Sequence, residues 1–367
     1  MSESTHKIRV GVIFGGRSGE HEVSLNSARS VMRALNPEKY EIVQIGITPQ
    51  GQWLTGEAMQ ALTAGANPDG DRQALVLSGS SETQIGQLTA TDAVDVLFPV
   101  LHGTYGEDGT VQGLLELANV PYVGAGVVGS AVGMDKAIFK QVMTANNIPV
   151  LPWHLVLKSQ WEARPQAIIA LIEDTLGYPV FTKPANLGSS VGISKCRQRD
   201  ELIAGLDEAA RFDRRIVIEQ GINARELEVS VLGNDEPIAS IVGEVRPRRD
   251  FYDYVAKYIS DDSELLIPAP ISNELAEQVR RMAVQAYQAI DCAGLGRVDM
   301  LLDKDTQTVY LNEINTIPGF TTISMYPKLW EATGLSYPEL LDRLISLALE
   351  RFAEKEKLTH QFEVTNP

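Results

Sequence analysis

The chain has 367 residues, 44% of them hydrophobic and 22% charged, and a formal net charge of −16. That length exceeds one ordinary core and predicts two or three packed domains with the composition of a globular enzyme. The acidic balance argues against a nucleic-acid partner and obliges any polyphosphate substrate to find a local basic pocket.

The polar start Met1–Lys7 and the short apolar run after it lack the shape of a secretory signal. No stretch approaches the ~20 apolar residues of a membrane span. The two cysteines, Cys196 and Cys292, have no metal-ligand spacing and read as reduced core thiols. A cytoplasmic protein without membrane insertion is expected.

Residues 8–125 alternate strand and helix patterns. Ile8–Phe14 reads as a buried strand, followed by the turn Gly15-Gly16-Arg17-Ser18-Gly19 and a helix from about Ser24 to Leu35. Glu41–Ile47 and Asp95–Leu101 are further strands, the second leading into His102-Gly103-Thr104-Tyr105-Gly106-Glu107-Asp108-Gly109. A helix at Val111–Ala118 and a strand at Pro121–Val123 complete an open α/β sheet, in which ligands sit at the C-terminal strand ends where both Gly-rich turns fall. Residues 50–92 are rich in Gly, Ser and Gln and read as a peripheral excursion.

From about 130 the pattern changes to α+β. One helix is expected over Ser130–Asn146, then a strand at His154–Leu157, a helix at Gln166–Leu176 and a strand at Tyr178–Pro184. A Gly/Ser loop leads to the strand Ile193–Cys196, the helix Asp200–Phe212 and the strand Arg215–Gln220. Strands at Glu226–Leu232 and Ile238–Val245, a polar stretch at Arg246–Glu264 and a helix at Asn273–Ile290 follow. Strands at Gly296–Met300 and Leu311–Thr316 and a last amphipathic helix at Pro338–Phe352 end the pattern, before a charged tail after Lys355.

The last two strands carry the clearest chemistry. Side chains alternate along a strand, so Glu313 and Asn315 share one face, as do Arg297 and Asp299. Oxygen ligands without His or Cys suit a hard cation such as Mg²⁺, and an arginine beside it would stabilise developing negative charge. The same residues also fit a half-buried ion-pair cluster. Gly188-Ser189-Ser190-Val191-Gly192 is a donor-rich turn able to cradle phosphate oxygens, and equally an ordinary hairpin. It is not a Walker A motif, and the N-terminal glycines lack dinucleotide-fingerprint spacing, which counts against a nicotinamide-dependent dehydrogenase. Lys183 ends the strand before that loop; Lys136 is by default a surface lysine. Glu219 ends its strand at a Gly turn, a plausible hinge to an adenine amino group, with Glu226 in reach of ribose.

The order lysine, lysine with Gly/Ser loop, Glu-ending strand, Arg-x-Asp and Glu-x-Asn resembles the layout of the ATP-grasp superfamily. The motifs Gly15-Gly16-x-Ser18-x-Glu20-His21-Glu22-Val23-Ser24, His102-Gly103-x-x-Gly106-Glu107-Asp108-Gly109, Lys183-Pro184-x-x-x-Gly188-Ser189-Ser190-x-Gly192, Tyr252-Asp253-Tyr254-x-x-Lys257-Tyr258 and Asn312-Glu313-x-Asn315-Thr316-x-Pro318-Gly319 are similar to those of the bacterial D-alanine–D-alanine ligase family, in its longer paralogous form. The resemblance implies an N-terminal α/β domain (1–125) and a two-subdomain ATP-grasp fold (126–218 and 219–367) with the nucleotide between the subdomains. It implies ATP-dependent joining of two D-alanines through an acyl phosphate, for peptidoglycan precursors, in a homodimer.

Residue by residue, the resemblance implies that Asp299, Glu313 and Asn315 hold two Mg²⁺ (or Mn²⁺) ions. ATP would be met by Lys136, Lys183, Ser189, Ser190, Val191, Glu219, Gln220, Ile222, Glu226, Phe251, Lys257 and Asn312. Glu20 would bind the first D-alanine's ammonium, with His102 near its carboxylate. Arg297 and the Gly319 N–H would form the oxyanion hole, and Ser324 would hold the second D-alanine's carboxylate. Ser189 and Tyr258, linked with Glu20, would draw the stretch 246–264 over the site as a lid, which suits a water-sensitive acyl phosphate. Relatives making D-alanyl-D-lactate depart from the Tyr-x-x-Lys-Tyr pattern, so its presence here predicts an amine acceptor. A related ligase with another acceptor and a non-catalytic nucleotide-binding protein are the competing readings.

Overall fold

A computed structural model describes residues 7–54, 94–247, 263–321 and 323–359. Most of the 50–92 excursion and the lid residues Phe251, Lys257 and Tyr258 lie outside the described residues.

The first sheet grows from β1 (Ile8–Gly15), whose run from Val10 to Phe14 is buried, as a central parallel strand requires. β2 (Tyr40–Ile47) and β4 (Val96–Pro99) flank it in parallel, and β3 (Trp53–Leu54) adds antiparallel to β2, for the order β3-β2-β1-β4. Gly15 turns the chain away at φ +90°, where a Cβ would stand 2.1 Å from the Ile47 carbonyl oxygen. α1 (His21–Ala34) covers one face and α2 (Thr110–Leu117) the other. α1 starts before the expected Ser24, because that residue is a tie and not a cap: its Oγ accepts from Gly15 N–H at 2.8 Å and donates to Val100 O. The expected strand at Pro121–Val123 shrinks to one bridge, Tyr122 to Leu97. Pro121 lacks an N–H for the ladder, and Gly124 at φ +103° bends the chain off.

The expected single helix over Ser130–Asn146 is two, α3 (Val127–Met134) and α4 (Lys136–Ala145). Asp135 divides them: its extended backbone ends α3, and its Oδ1 accepts the Ala137 and Ile138 N–H groups at 3.1 and 3.0 Å. Aspartate is better used at a helix start than inside one.

The second sheet is antiparallel, with β5 (Trp153–Leu157), β6 (Val180–Pro184), β7 (Ser194–Cys196) and β8 (Arg215–Gln220) in the order β5-β8-β6-β7. α5 (Lys158–Ala163), which the sequence pattern did not announce, joins α6 (Pro165–Thr175) and α7 (Arg199–Phe212) on one face. The other face presents Phe181, Lys183 and Glu219 to a cavity. Cys196 and Cys292 are buried free thiols.

The third sheet holds β9 (Ala224–Gly233), β10 (Ile238–Pro247), β11 (Ser263–Leu266), β12 (Gly294–Asp303) and β13 (Val309–Asn315), ordered β11-β10-β9-β12-β13. α8 (Asn273–Ala289) packs against it, and Phe139 and Met143 of α4 enter the same core. After α9 (Met325–Thr333), which was not expected, α10 (Tyr337–Lys355) sends Leu340, Leu341, Leu344 and Ile345 into the core under the first sheet. The chain end therefore ties the third sheet's neighbourhood to the first. Among the described residues no helix is long and apolar enough to cross a membrane.

Candidate active site

A cavity of about 650 Å³ opens where the three sheets meet. Its wall brings together side chains from the loop ends of the first sheet, the inner face of the second and the strands β12 and β13.

Helical spacing puts Lys136 and Lys140 one turn apart on α4. Lys140 Nζ donates to Glu219 Oε1 at 3.0 Å and Lys183 Nζ to Oε2 at 2.7 Å, while Lys136 Nζ donates to Leu187 O at 2.6 Å. Lys140 and Glu219 are buried, so these charges interact with little solvent screening. Burial alone would push the Glu219 carboxyl up, but the Lys140 and Lys183 ammonium groups outweigh it and hold the carboxyl at about 2. Burial draws the Lys136 and Lys140 ammonium groups below the ordinary lysine value, against the pull of Glu313 and Glu219. The Glu219 carboxylate thus serves as an internal counter-ion. Gln220, Ile222 and Glu226 continue along the wall, and Asn312 lies on it too.

In the Gly/Ser loop, Ser189 and Ser190 both take left-handed backbone (φ 53° and 57°). Ser189 Oγ is buried and has no hydrogen-bond partner among the described residues. Such an atom costs ~1–3 kcal/mol unless something supplies a partner. Gly192 is required by space: a Cβ would come within 2.7 Å of the Phe212 ring and 2.8 Å of Pro184. Val191 turns outward, 36% exposed, and is absent from the cavity wall.

Across β12 and β13 the register sets Asp299 opposite Glu313 and Arg297 opposite Asn315. Arg297 grips Asp299 in a fork, Nε to Oδ1 at 2.7 Å and Nη2 to Oδ2 at 2.6 Å, and Asn315 Nδ2 donates to the same Oδ2 at 2.9 Å. On the other side Asp299 pairs with Glu228 of β9, whose Oε2 lies 2.9 Å from Arg297 Nε. One buried guanidinium therefore balances carboxylates from two strands. Among the described residues no group of three or more His, Cys, Asp and Glu is arranged to hold a metal. The expected set is two carboxylates and an amide, oxygen donors throughout, and that fits a hard divalent cation.

At the other end, Glu20 is 6% exposed and makes no capping bond to α1. Its Oε2 lies between a loop of the first sheet and a loop of the second: a Cβ on Gly103 would stand 2.7 Å from it, and one on Gly188 3.2 Å. His102 lines the cavity while its ring nitrogens bond to protein, Nδ1 to Ile317 O at 2.9 Å and Nε2 to Ser27 Oγ at 3.1 Å. Gly319 is on the wall. Ser324, the residue before α9, stands behind it, with Oγ accepting Thr321 N–H at 3.0 Å.

Two family models match the chain, the D-ala D-ala ligase N-terminus over residues 9–125 and the D-ala D-ala ligase C-terminus over residues 142–346. The chain belongs to the D-alanine–D-alanine ligase family. It is 53% identical to a protein named D-alanine--D-alanine ligase from Heliobacterium modesticaldum, over 96% of this chain and 97% of that one. Among solved structures it resembles the D-alanine-D-alanine ligase of Coxiella burnetii (36% identity, TM-score 0.81, covering 96% and 98% of the two chains). It also resembles the VanG D-Ala:D-Ser ligase of Enterococcus faecalis (36% identity, TM-score 0.82, covering 94% and 100%). The fold is the ATP-grasp fold, as the motif order implied.

Several residues at the site escaped the sequence reading, Lys140 behind the wall and Glu228, Lys195 and Glu107 on it. Lys140 was signalled only by its i,i+4 spacing from Lys136, and Glu228 by its alternation with Glu226. Lys195, on the wall and 5.8 Å from the Phe181 ring centroid, had no motif of its own. Glu107 sits inside a quoted motif but carried no role; its carboxylate accepts from Gly103 N at 2.7 Å and Ile317 N at 3.2 Å.

Proposed function

We propose that this ligase joins two D-alanines to D-alanyl-D-alanine at the expense of ATP, releasing ADP and phosphate, for peptidoglycan precursor synthesis in the cytoplasm. One observation carries the reading: Lys136 and Lys183, the Asp299–Glu313–Asn315 oxygens, and Arg297 with Gly319 line a single cavity in a chain that matches the family along nearly its whole length.

In this reading a carboxylate oxygen of the first D-alanine attacks the γ-phosphorus, and ADP leaves. The amine of the second attacks the resulting acyl phosphate at carbon. The tetrahedral intermediate puts its negative oxygen on Arg297 and the Gly319 N–H, a donor set in which one hydrogen bond is worth ~10²–10³ in rate. Collapse expels phosphate together with one oxygen of the original carboxylate. Glu20 holds the first ammonium, with His102 beside the first carboxylate, and Ser324 holds the second carboxylate. Lys136, Lys183 and the Ser189–Val191 loop hold phosphates, the strand end at Glu219–Ile222 meets adenine, and Glu226 meets ribose. Asp299, Glu313 and Asn315 would hold two Mg²⁺ or Mn²⁺ ions, which neutralise phosphate charge. Phe251, Lys257 and Tyr258 belong to the same reading as lid residues, and a homodimer and the three-part division at residues 125 and 218 complete it.

The test is ADP release with D-alanine as sole amino acid, followed by competition among D-alanine, D-serine and D-lactate near neutral pH. D-alanyl-D-alanine is expected to dominate. Predominant D-alanyl-D-serine would move the chain toward the acceptor named for the VanG relative, and absence of D-alanine-dependent ADP would overturn the reading.

A further inference from the structure

The segment Ile317-Pro318-Gly319-Phe320 belongs to no helix or strand, yet it carries the backbone N–H that must meet a charge developing on the substrate. Both of its ends enter one hydrogen-bond chain. Ile317 O bonds His102 Nδ1 at 2.9 Å, His102 Nε2 bonds Ser27 Oγ at 3.1 Å, and Ser27 Oγ accepts Phe320 N–H at 3.3 Å. Every member is buried, Ser27 and Phe320 completely and His102 and Ile317 to 4% exposure.

Proton positions follow from what each group is able to do. A carbonyl only accepts, so Nδ1 carries the imidazole proton; a backbone N–H only donates, so Ser27 Oγ receives it and passes its own proton to Nε2. The neutral Nδ1–H ring satisfies every member, whereas an imidazolium would put a second donor on Ser27 Oγ and send the serine proton to another acceptor. Serine suits the position because a hydroxyl donates and accepts at once, and alanine does neither.

The ends are anchored further. Phe320 O accepts from Tyr337 Oη at 2.7 Å, and its ring packs on Tyr326 and Phe98 with centroids 5.3 and 6.0 Å apart. Ile317 N–H is taken by Glu107. Ser27 itself stands on a rigid element, since Ser24 on the same face ties α1 to the first sheet. Between these anchors Pro318 and Gly319 line the cavity.

We propose that Ser27 is a positioning residue which, through His102, clamps the 317–320 segment at both ends and aims the Gly319 N–H at the oxyanion. The inference rests on the ligase reading and deepens it: catalysis here depends on a hydroxyl from the N-terminal helix that touches no substrate.

The test compares full-length wild type with Ser27→Ala and Ser27→Thr. Loss of aim by a fraction of an ångström is expected to lower kcat of Ser27→Ala by roughly 10–100-fold, short of losing the donor outright, with KM for ATP within about twofold of wild type and kcat largely restored in Ser27→Thr. A folded Ser27→Ala enzyme with wild-type kcat, or one whose KM for ATP rises as kcat falls, overturns the clamp. Imidazole ¹⁵N spectra of the wild type decide independently of activity, should the alanine variant not fold. A neutral His102 protonated at Nδ1 supports the chain; a proton on Nε2 at neutral pH refutes it. Failure of the ligase reading would show instead in the wild type, as missing D-alanine-dependent ADP release.

Discussion

At one end of the cavity two lysines share the buried Glu219 carboxylate, whereas at the other a neutral chain runs from Phe320 N–H through Ser27 and His102 to Ile317 O. On the proposed roles, each end uses the interaction its task needs. A polyphosphate must be drawn into a protein of net charge −16, and two cations on one anion leave a net positive charge behind. A developing oxyanion needs a donor held in one place, which directional neutral hydrogen bonds provide at ~0.5–1.5 kcal/mol each. Damage at the ionic end should therefore appear in stability and ATP affinity, and damage at the neutral end in kcat.

The sharpest break lies between the two ends, at the strand pair. Glu313→Gln is expected to lower kcat by more than ~10²-fold, the scale of losing a preorganised electrostatic element, with an unchanged circular dichroism spectrum. Retained turnover with ordinary metal dependence would remove Glu313 from the metal set.

At the ionic end, Lys140→Met strands part of a buried charge. Breaking a buried pair typically costs ~3–5 kcal/mol; because Lys183 still faces Glu219, the lower part of that range is expected in denaturant melts, with KM for ATP raised more than kcat is lowered. A variant as stable as wild type would show that the pair holds nothing in place.

Acid titration sharpens the same point. The Glu219 carboxyl sits at about 2 in the folded chain against an ordinary 4.5, so its contribution to stability is complete above pH 4.5 and is lost as pH falls from there toward 2. Lys140→Met removes one cause of that depression, and the slope of stability against pH in this window should become shallower. An unchanged slope would contradict the shared-carboxylate picture. The smallest effect is expected at Val191→Ala, whose outward side chain predicts a KM for ATP within about twofold of wild type; a larger rise would place that side chain against the nucleotide.

What was legible in the sequence was local. Alternation along Gly296–Met300 and Leu311–Thr316 placed Arg297 with Asp299 and Glu313 with Asn315, and the register confirms that these faces meet. Periodicity found β1, α7 and α8 to within a residue or two at most. The break at Asp135 was missed because a capping carboxylate and a helical residue look alike until the backbone turns. Lys140 and Glu219 are 79 positions apart, and His102 and Ile317 are 215 apart. No local pattern links such pairs; only the packing of separate sheets around one cavity does.

The central claim is that the γ-phosphoryl group passes to an amino-acid carboxylate before the peptide bond forms. The direct measurement is turnover with D-alanine labelled with ¹⁸O in its carboxylate, followed by mass analysis of the released phosphate. One labelled oxygen in phosphate for each dipeptide is the expected result. Phosphate carrying oxygen from water alone would contradict the account.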